Sequence, residues 1–161
     1  MFGYPITFAV DIWTLGLTVF EILGRGALFE RFFPDEDTVL LEAISTLGPL
    51  PPKWWQAWPN RSTFFKDDGS FQEGLEILTN PRPLAERLRR SLGRETDTAA
   101  YGFGESEMGS LEELLMSMLR YEPQDRVTVD DALNSGWVRD YGIPALKEGV
   151  PDVDLSGWKI P

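Results

Sequence analysis

The chain contains no cysteine and no histidine among its 161 residues. Without cysteine there are no disulfides and no thiolate metal sites. Without histidine the chain lacks the commonest general base and both the serine–histidine and the cysteine–histidine nucleophile systems. Since the usual zinc ligands are missing as well, catalytic and structural zinc sites of the common types are excluded.

Positive charge is scarce, with 15 lysines and arginines against 26 acidic residues and a formal net charge of −11. An acidic surface repels phosphate backbones and anionic lipid headgroups, so we predict no nucleic-acid partner and no membrane partner. Such a surface attracts basic partners, although plain solubility explains the same charge equally well.

Long hydrophobic runs are also missing. The longest apolar stretch, residues 8–23, is interrupted by four polar residues, namely Asp11, Thr14, Thr18 and Glu21. The N-terminus has no basic region followed by an apolar run and a small-residue cleavage site, so no signal peptide is predicted. We therefore expect a cytoplasmic or nuclear location.

Helix signals recur along the chain, whereas no segment alternates cleanly enough to predict a strand. We predict helices over residues 8–23, 36–47 and 84–92, a fourth from a capping box at Ser110 and Glu113, and a short fifth from Thr128. Residues 49–71, rich in proline and tryptophan, predict an irregular packed insert with one short helix at most. Residues 94–109 are expected to form a mobile loop, and the chain from Tyr141 onward a tail.

The first predicted helix has almost no polar face. A helix that is apolar all round lies in the interior of a larger protein, so we expect it to be enclosed on all sides. Asp11 lies within this apolar field. A buried carboxylate costs several kcal/mol unless donors satisfy it, so Asp11 is expected to be buried and hydrogen-bonded.

Three stretches resemble the large lobe of the eukaryotic protein kinases. Residues 11–16, Asp-Ile-Trp-Thr-Leu-Gly, resemble the D-x-W-x-L-G signature that opens the central helix of that lobe. Residues 118–126, which end in Arg126, resemble a motif late in the lobe. Residues 131–138 are similar to the following helix with its closing tryptophan. Their order and spacing extend the resemblance over about residues 3–140 and imply a mainly α fold, with five or so helices around a central apolar helix.

Further stretches are similar to the SR-protein kinases in particular. Residues 28–30 read Leu-Phe-Glu, and residues 35–37 read Asp-Glu-Asp before an apolar helix that ends in Leu-Gly-Pro-Leu-Pro. Residues 64–71 are similar to a Phe-Phe-x-x-x-Gly hairpin in the insert of that group. The resemblance implies a partial kinase domain over residues 1–140, with an insert at about residues 49–109, and a C-terminal tail over residues 141–161.

The resemblance also implies scaffold roles for Asp11, Trp13, Gly16 and Arg126. Asp11 would hold the backbone of the catalytic loop, and Arg126 would pair with a glutamate that follows the activation segment. The residues by themselves allow plainer interpretations. Trp13 is then a core residue, Asp11 a satisfied buried carboxylate, and Arg126 a partner in a surface salt bridge worth at most about 1 kcal/mol.

Acidic residues around the second helix are candidates for docking a basic substrate. Asp35, Glu36 and Asp37 form its N-terminus, where acidic side chains are usually solvated and stabilised by the helix dipole. The resemblance suggests instead a groove for arginine-rich substrates, because carboxylates bind guanidinium groups through two hydrogen bonds. Asp37 matches one groove residue of the family. The second falls at Ile44, or at Glu42 if the helix is shifted.

Phosphoryl transfer by a kinase needs a glycine-rich loop, a lysine held by a glutamate, a catalytic aspartate and asparagine, and a magnesium-binding aspartate. In the family these all precede the central helix, so we expect no catalytic, cofactor-binding or metal-binding residue here. ATP and magnesium would belong to a longer parent that phosphorylates serines of arginine/serine-rich proteins. On this hypothesis the chain is a fragment or a truncated gene model, and the missing N-terminal portion of the kinase is its partner.

A second hypothesis is that the chain is a free-standing, non-catalytic helical module. It would then bind a basic protein through the acidic helix and residues 54–58, which contain three tryptophans.

Overall fold

The computed structural model describes residues 7–24, 26–29, 35–75, 82–92 and 102–153. Within these ranges the protein is mainly α-helical, as predicted, and contains no strand beyond an isolated antiparallel bridge between Phe65 and Phe71. None of the helices found there is long and apolar enough to cross a membrane.

The described residues form eight α-helices, which are α1 (Phe8–Gly24), α2 (Glu36–Leu47), α3 (Pro52–Ala57), α4 (Arg61–Phe64), α5 (Leu84–Leu92), α6 (Glu105–Met118), α7 (Val129–Leu133) and α8 (Ile143–Gly149). A 3-10 turn at Pro123–Asp125 follows α6, and a π-helical turn at Val138–Gly142 leads into α8. The predicted bounds of α1, α2, α5 and α7 are confirmed to within a residue or two.

Two predicted N-caps are also confirmed. The carboxylate of Asp35 accepts a hydrogen bond from the backbone N–H of Thr38 at 2.6 Å, at the start of α2. The hydroxyl oxygen of Thr128 accepts one from the backbone N–H of Asp131 at 3.2 Å and donates to the Asp131 carboxylate at 2.7 Å. These bonds satisfy backbone donors that the first turn of a helix leaves unpaired.

Three sequence predictions are wrong. α6 begins at Glu105, so residues 105–109 are helical rather than part of a loop, and Ser110 lies inside the helix. The insert holds two short helices, α3 and α4, instead of one at most. The chain beyond Tyr141 continues as the π-helical turn and α8, with Ile143 buried, so the start of the expected tail is helical. Residues 93–101 and 154–161 lie outside the described part of the chain.

The main core forms where α6 packs against α1 and α5. Leu111 and Leu115 of α6 are fully buried there, between Phe20 of α1 and Leu88 of α5. Each fully buried leucine stabilises the fold by about 1.5–3 kcal/mol. A smaller cluster of Ile12, Leu114, Met118 and Ala132 extends this core toward α7.

A second packing unit is built mostly from rings, and we call residues 50–71 the aromatic insert. Trp58 and Phe65 are buried, and the ring centroids of Trp55 and Phe65 lie 4.8 Å apart in an edge-to-face arrangement. Tyr121, after α6, packs on Trp54 at 5.6 Å and donates its hydroxyl to the carbonyl of Gly48 at 2.9 Å. Burial raises the pKa of the Tyr121 hydroxyl, so this donor keeps its proton.

One face of α1 is open. Phe8, Leu15 and Ile22 are exposed, at 89%, 47% and 70% of their surface respectively. They are spaced seven residues apart, which is nearly two helical turns, so they share one face. We call these three residues the open face of α1. The described elements pack against the opposite face of α1 only, so enclosure of this helix on all sides stays a prediction about a larger protein.

Candidate functional site

The crossing of α1 and α6 depends on Gly16, one of the predicted scaffold residues. A Cβ atom at Gly16 would lie 3.2 Å from Cδ2 of Leu119 and 3.2 Å from Cβ of Met118. Contacts of this length are shorter than ordinary van der Waals separations. The glycine of the D-x-W-x-L-G stretch thus lets the middle of α1 lie directly against the end of α6.

Arg126 and Trp13, which are far apart in the sequence, meet beside this crossing. The guanidinium of Arg126 lies over the Trp13 ring, 4.9 Å from its centroid. It donates to three backbone carbonyls: Nη1 to Ala9 at 2.7 Å, Nε to Arg120 at 2.8 Å and Nη2 to Tyr121 at 3.0 Å. The surface salt bridge that the residues alone suggested is absent among the described residues. Arg126 instead joins the first turn of α1 to the segment after α6.

The Arg126 guanidinium retains capacity for a further partner. It has five N–H donors, and the three carbonyls leave one on each Nη nitrogen. Partial burial lowers its pKa from the ordinary value, because a charged group loses hydration there. The remaining donors suit a carboxylate, which would offset that lost hydration. The glutamate partner implied by the family resemblance stays a prediction.

Asp11, the third scaffold candidate, is exposed rather than buried. Its carboxylate has no hydrogen-bond or ion-pair partner within the part of the chain that the structure describes. Because it occupies the first turn of α1, the positive end of the helix dipole and water stabilise its charge. The prediction of a buried, satisfied carboxylate is wrong for this chain, and its proposed contact with a catalytic loop stays untested. Beside it, Ile12, Leu15 and Val129 line a shallow, mostly apolar depression.

The acidic docking candidates on α2 fall into different environments. Asp35 and Glu36 are exposed at the N-terminus of the helix. The hydrogen bond from the Thr38 N–H lowers the pKa of Asp35, so this carboxylate stays charged at neutral pH. Glu42 is half-buried further along the helix.

Asp37 links α2 to the aromatic insert through hydrogen bonds. Its two carboxylate oxygens accept hydrogen bonds from the indole N–H of Trp58 at 2.6 Å and from the side-chain amide of Asn60 at 2.8 Å. These donors lie 21 and 23 residues further along the chain, so no local spacing in the sequence pointed to them. Asp37 therefore anchors the aromatic insert to α2.

Metal-binding side chains are not grouped in the described residues. Nowhere in those ranges do three or more aspartates or glutamates stand close enough together to hold an ion. What the structure does bring together is a set of contacts between helices, made by Trp13, Gly16 and Arg126.

Comparison with known proteins shows that the chain is similar to protein kinases. Human dual specificity protein kinase CLK2 is 28% identical over 123 residues, which cover 76% of this chain and 22% of CLK2. The probable serine/threonine-protein kinase sky1 of Dictyostelium discoideum is 30% identical over 136 residues, covering 81% and 19%. Serine/threonine-protein kinase AFC1 of Arabidopsis thaliana is 28% identical over 137 residues, covering 82% and 27%. No family model matches the chain.

The chain thus spans about a fifth to a quarter of the length of these curated relatives. The similar region takes up most of this chain. These matches and the mainly α-helical architecture show that the chain corresponds to the C-terminal part of a protein kinase domain and is similar to the SR-protein kinases.

Proposed function

We propose that this chain forms part of the large lobe of a serine/threonine protein kinase, in which it scaffolds the active site. The whole kinase would use ATP and magnesium to phosphorylate serines in arginine/serine-rich proteins. Support comes from the relatives, two of which are named serine/threonine kinases. In this proposal the chain has a scaffold role and transfers no phosphate itself. The remaining portion of the kinase is its partner.

The observation that carries the proposal is the asymmetry of α1. One face is fixed against α6 at Gly16, while the open face presents Phe8, Leu15 and Ile22 to solvent. Large exposed apolar side chains that alternate with polar residues along one helix face are typical of a surface that contacts protein. In a kinase large lobe, the remaining part of the domain would cover the open face, and α1 would become a fully buried helix.

The Arg126 contacts add independent support. The guanidinium is held by three carbonyls and stacked on Trp13, so its direction is fixed before any further partner binds. Preorganised donors bind a carboxylate at a lower entropic cost than a flexible side chain does. This arrangement suits a structural pairing with a glutamate elsewhere in a kinase domain.

A chimera tests the scaffold role. The chain would replace the matching region of human CLK2, and phosphorylation of an arginine/serine-rich peptide would be measured beside thermal melting. We expect a folded, active chimera that loses activity when Leu15→Ser alters the open face. Val150→Ser, at a residue also about half exposed but at the end of α8, should leave activity unchanged. A chimera that melts cooperatively but transfers no phosphate would contradict the scaffold role.

Substrate docking is a separate part of the proposal. Asp35 and Glu36 are exposed and offer carboxylates to arginine side chains, whereas Asp37 is already bonded to Trp58 and Asn60. The proposed groove therefore depends mainly on Asp35 and Glu36. A cytoplasmic or nuclear location belongs to the same proposal, as does the absence of nucleic-acid and membrane partners.

This docking is tested by measuring the affinity of an arginine/serine-rich peptide for the Glu36→Lys variant and for the unaltered chain. We expect weaker binding than to the unaltered chain, because one attractive charge becomes repulsive. Glu148→Lys, an exposed site on α8 with the same change of charge, is the matched control. Equal losses in both variants would mean that only the overall acidity of the chain attracts the peptide.

A further inference from the structure

A cavity of about 300 Å³ lies between the end of α1, the residues that follow it, and α5. One wall is formed by Phe20, Gly24, Gly26 and Ala27. The other is formed by α5 and the residue before its first turn. That second wall carries the charged side chains, which are those of Arg82, Glu86, Arg87 and Arg90.

The charge of this cavity is opposite to that of the chain. Among the described residues that line it, three arginines and one glutamate sum to a charge of +2, in a protein whose net charge is −11. Within the described residues, the guanidinium groups of Arg82 and Arg90 have no hydrogen-bond acceptor and no ion-pair partner. Two charged groups with unused donors therefore line the same cavity.

Arg87 gives the cavity a fixed shape. Its residue is only 9% exposed, and its Nη1 donates to the carbonyl of Leu28 at 2.6 Å while its Nε donates to the carbonyl of Arg82 at 3.1 Å. It thus ties the segment after α1 to the start of α5 and holds the two walls at a constant separation. A preformed site loses less entropy on binding than one that must be ordered by its ligand.

We propose that this cavity binds a dianionic phosphate group, as carried by a phosphorylated serine side chain or by free phosphate. The net charge of +2 matches a dianion, whereas a single carboxylate would leave one guanidinium unpaired. Guanidinium groups bind phosphate oxygens through paired N–H donors, and Arg82 and Arg90 have such donors available. Phe20 and Ala27 provide an apolar wall for the carbon atoms next to the phosphate. Glu86 disfavours extended polyanions such as nucleic acid.

Calorimetric titration of the full 161-residue chain tests the site, with three probes. These are a phosphoserine peptide, the same peptide with unmodified serine, and sodium phosphate. We expect saturable binding of the phosphopeptide, none of the unmodified peptide, and binding that weakens as salt is added. Arg82→Gln and Arg90→Gln should each weaken binding about tenfold, because each removes one charge-assisted contact.

Arg89→Gln is the matched control, since Arg89 is an exposed arginine on the same helix that does not line the cavity. Melting curves of each variant confirm that Arg82→Gln and Arg90→Gln leave the fold intact. Selective loss in those two variants supports the site. If sodium phosphate competes fully with the phosphopeptide, the phosphate group alone is recognised; if it does not, the peptide contributes. Equal losses in all three variants, or no saturable binding, would overturn the proposal. The outcome is independent of the scaffold role.

Discussion

The helix crossing and the aromatic insert are stabilised by different kinds of contact. In the crossing of α1, α5 and α6, aliphatic side chains and a glycine bring helices into close contact, and the buried residues are almost all leucine, methionine and phenylalanine. In the aromatic insert, two short helices and the isolated bridge are joined by ring contacts and by the hydrogen bonds that Asp37 accepts from Trp58 and Asn60. The stability of the crossing therefore depends on the volume of its buried side chains, whereas the stability of the insert depends on a few directional hydrogen bonds and ring contacts.

This contrast explains how the two regions can differ in their free energy of opening. A core of interlocked helices opens as a unit, because each leucine touches several elements. The aromatic insert packs on α2 through a separate apolar cluster and is tied by Tyr121 and Asp37, so it can open locally while the core stays folded. The following five substitutions and measurements test that contrast, beginning with the largest expected effect.

Leu115→Ala should damage the crossing most. Leu115 is fully buried in the main core, so its truncation leaves a cavity and is expected to cost about 3 kcal/mol of unfolding free energy. Urea denaturation followed by circular dichroism measures this loss over the whole chain. Leu133→Ala, at a partly exposed leucine of α7, is the control and should cost well under half as much. Similar costs for the two leucines would contradict a core centred on α6.

Gly16→Val tests the close approach of α1 to α6. Added methyl groups would collide with Met118 and Leu119, and overpacking of this kind costs about 2 kcal/mol. The same substitution at Gly109 of α6, where a Cβ atom would meet nothing within 4 Å, is the control. We expect the thermal midpoint to fall clearly for Gly16→Val only. A fall of equal size in both variants would show that helix propensity, and not the crossing, is responsible.

Asp37→Asn should loosen the aromatic insert and spare the crossing. The amide has one acceptor oxygen in place of two, so Trp58 or Asn60 loses its acceptor at a cost of about 1.5 kcal/mol. Hydrogen exchange should speed up in residues 50–71 and stay unchanged in α6. Asp67→Asn, in the exposed turn of the insert, provides the control. Faster exchange throughout the chain would mean that insert and core unfold together.

Arg126→Lys should weaken the join between α1 and the segment after α6 by about 1 kcal/mol. A lysine cannot keep three separately directed donors on the carbonyls of Ala9, Arg120 and Tyr121 while stacking on Trp13. Urea denaturation compares it with Arg120→Lys, an exposed arginine nearby in the sequence. If the two variants are equally stable, the guanidinium contributes only through its charge.

The smallest expected effect is the pH dependence of the α2 cap. Because the pKa of Asp35 is lowered in the folded state, its contribution is complete above the unfolded value of 3.8 and disappears as pH falls through the folded pKa. Asparagine also caps helices but carries no charge, so Asp35→Asn isolates this term. Its melting temperature should be below that of the unaltered chain at pH 7 and should approach it as the pH falls progressively below 3.8. A constant difference across this range would contradict the assignment.

Local signals predicted most of the fold. The predicted bounds of α1, α2 and α5 agree with the structure to within a residue, and Thr128 marked the start of α7. The same local logic misplaced the start of α6, because Ser110 and Glu113 fit a capping box although packing of Met108 extends the helix upstream. It also missed α8, where Pro144 occupies the first turn, the one place in a helix that tolerates proline.

The candidate site was only partly predictable. The D-x-W-x-L-G stretch and Arg126 were found from the sequence, and the structure adds the contact between Trp13 and Arg126. The sequence could not predict that Asp37 bonds to Trp58, nor that Asp11 stays exposed, because burial depends on which distant elements pack nearby. The basic cavity was missed for the same reason, since Phe20 and Arg90 meet only in the folded chain.

Arg87 has a consequence for how the chain responds to its surroundings. The carbonyls of Leu28 and Arg82 that receive its hydrogen bonds carry no titratable proton, and a guanidinium keeps its charge at any pH that a folded protein experiences. These two hydrogen bonds between α5 and the segments beside it therefore contain no group that changes charge with pH, and strong acid should release the cap of α2 while they persist.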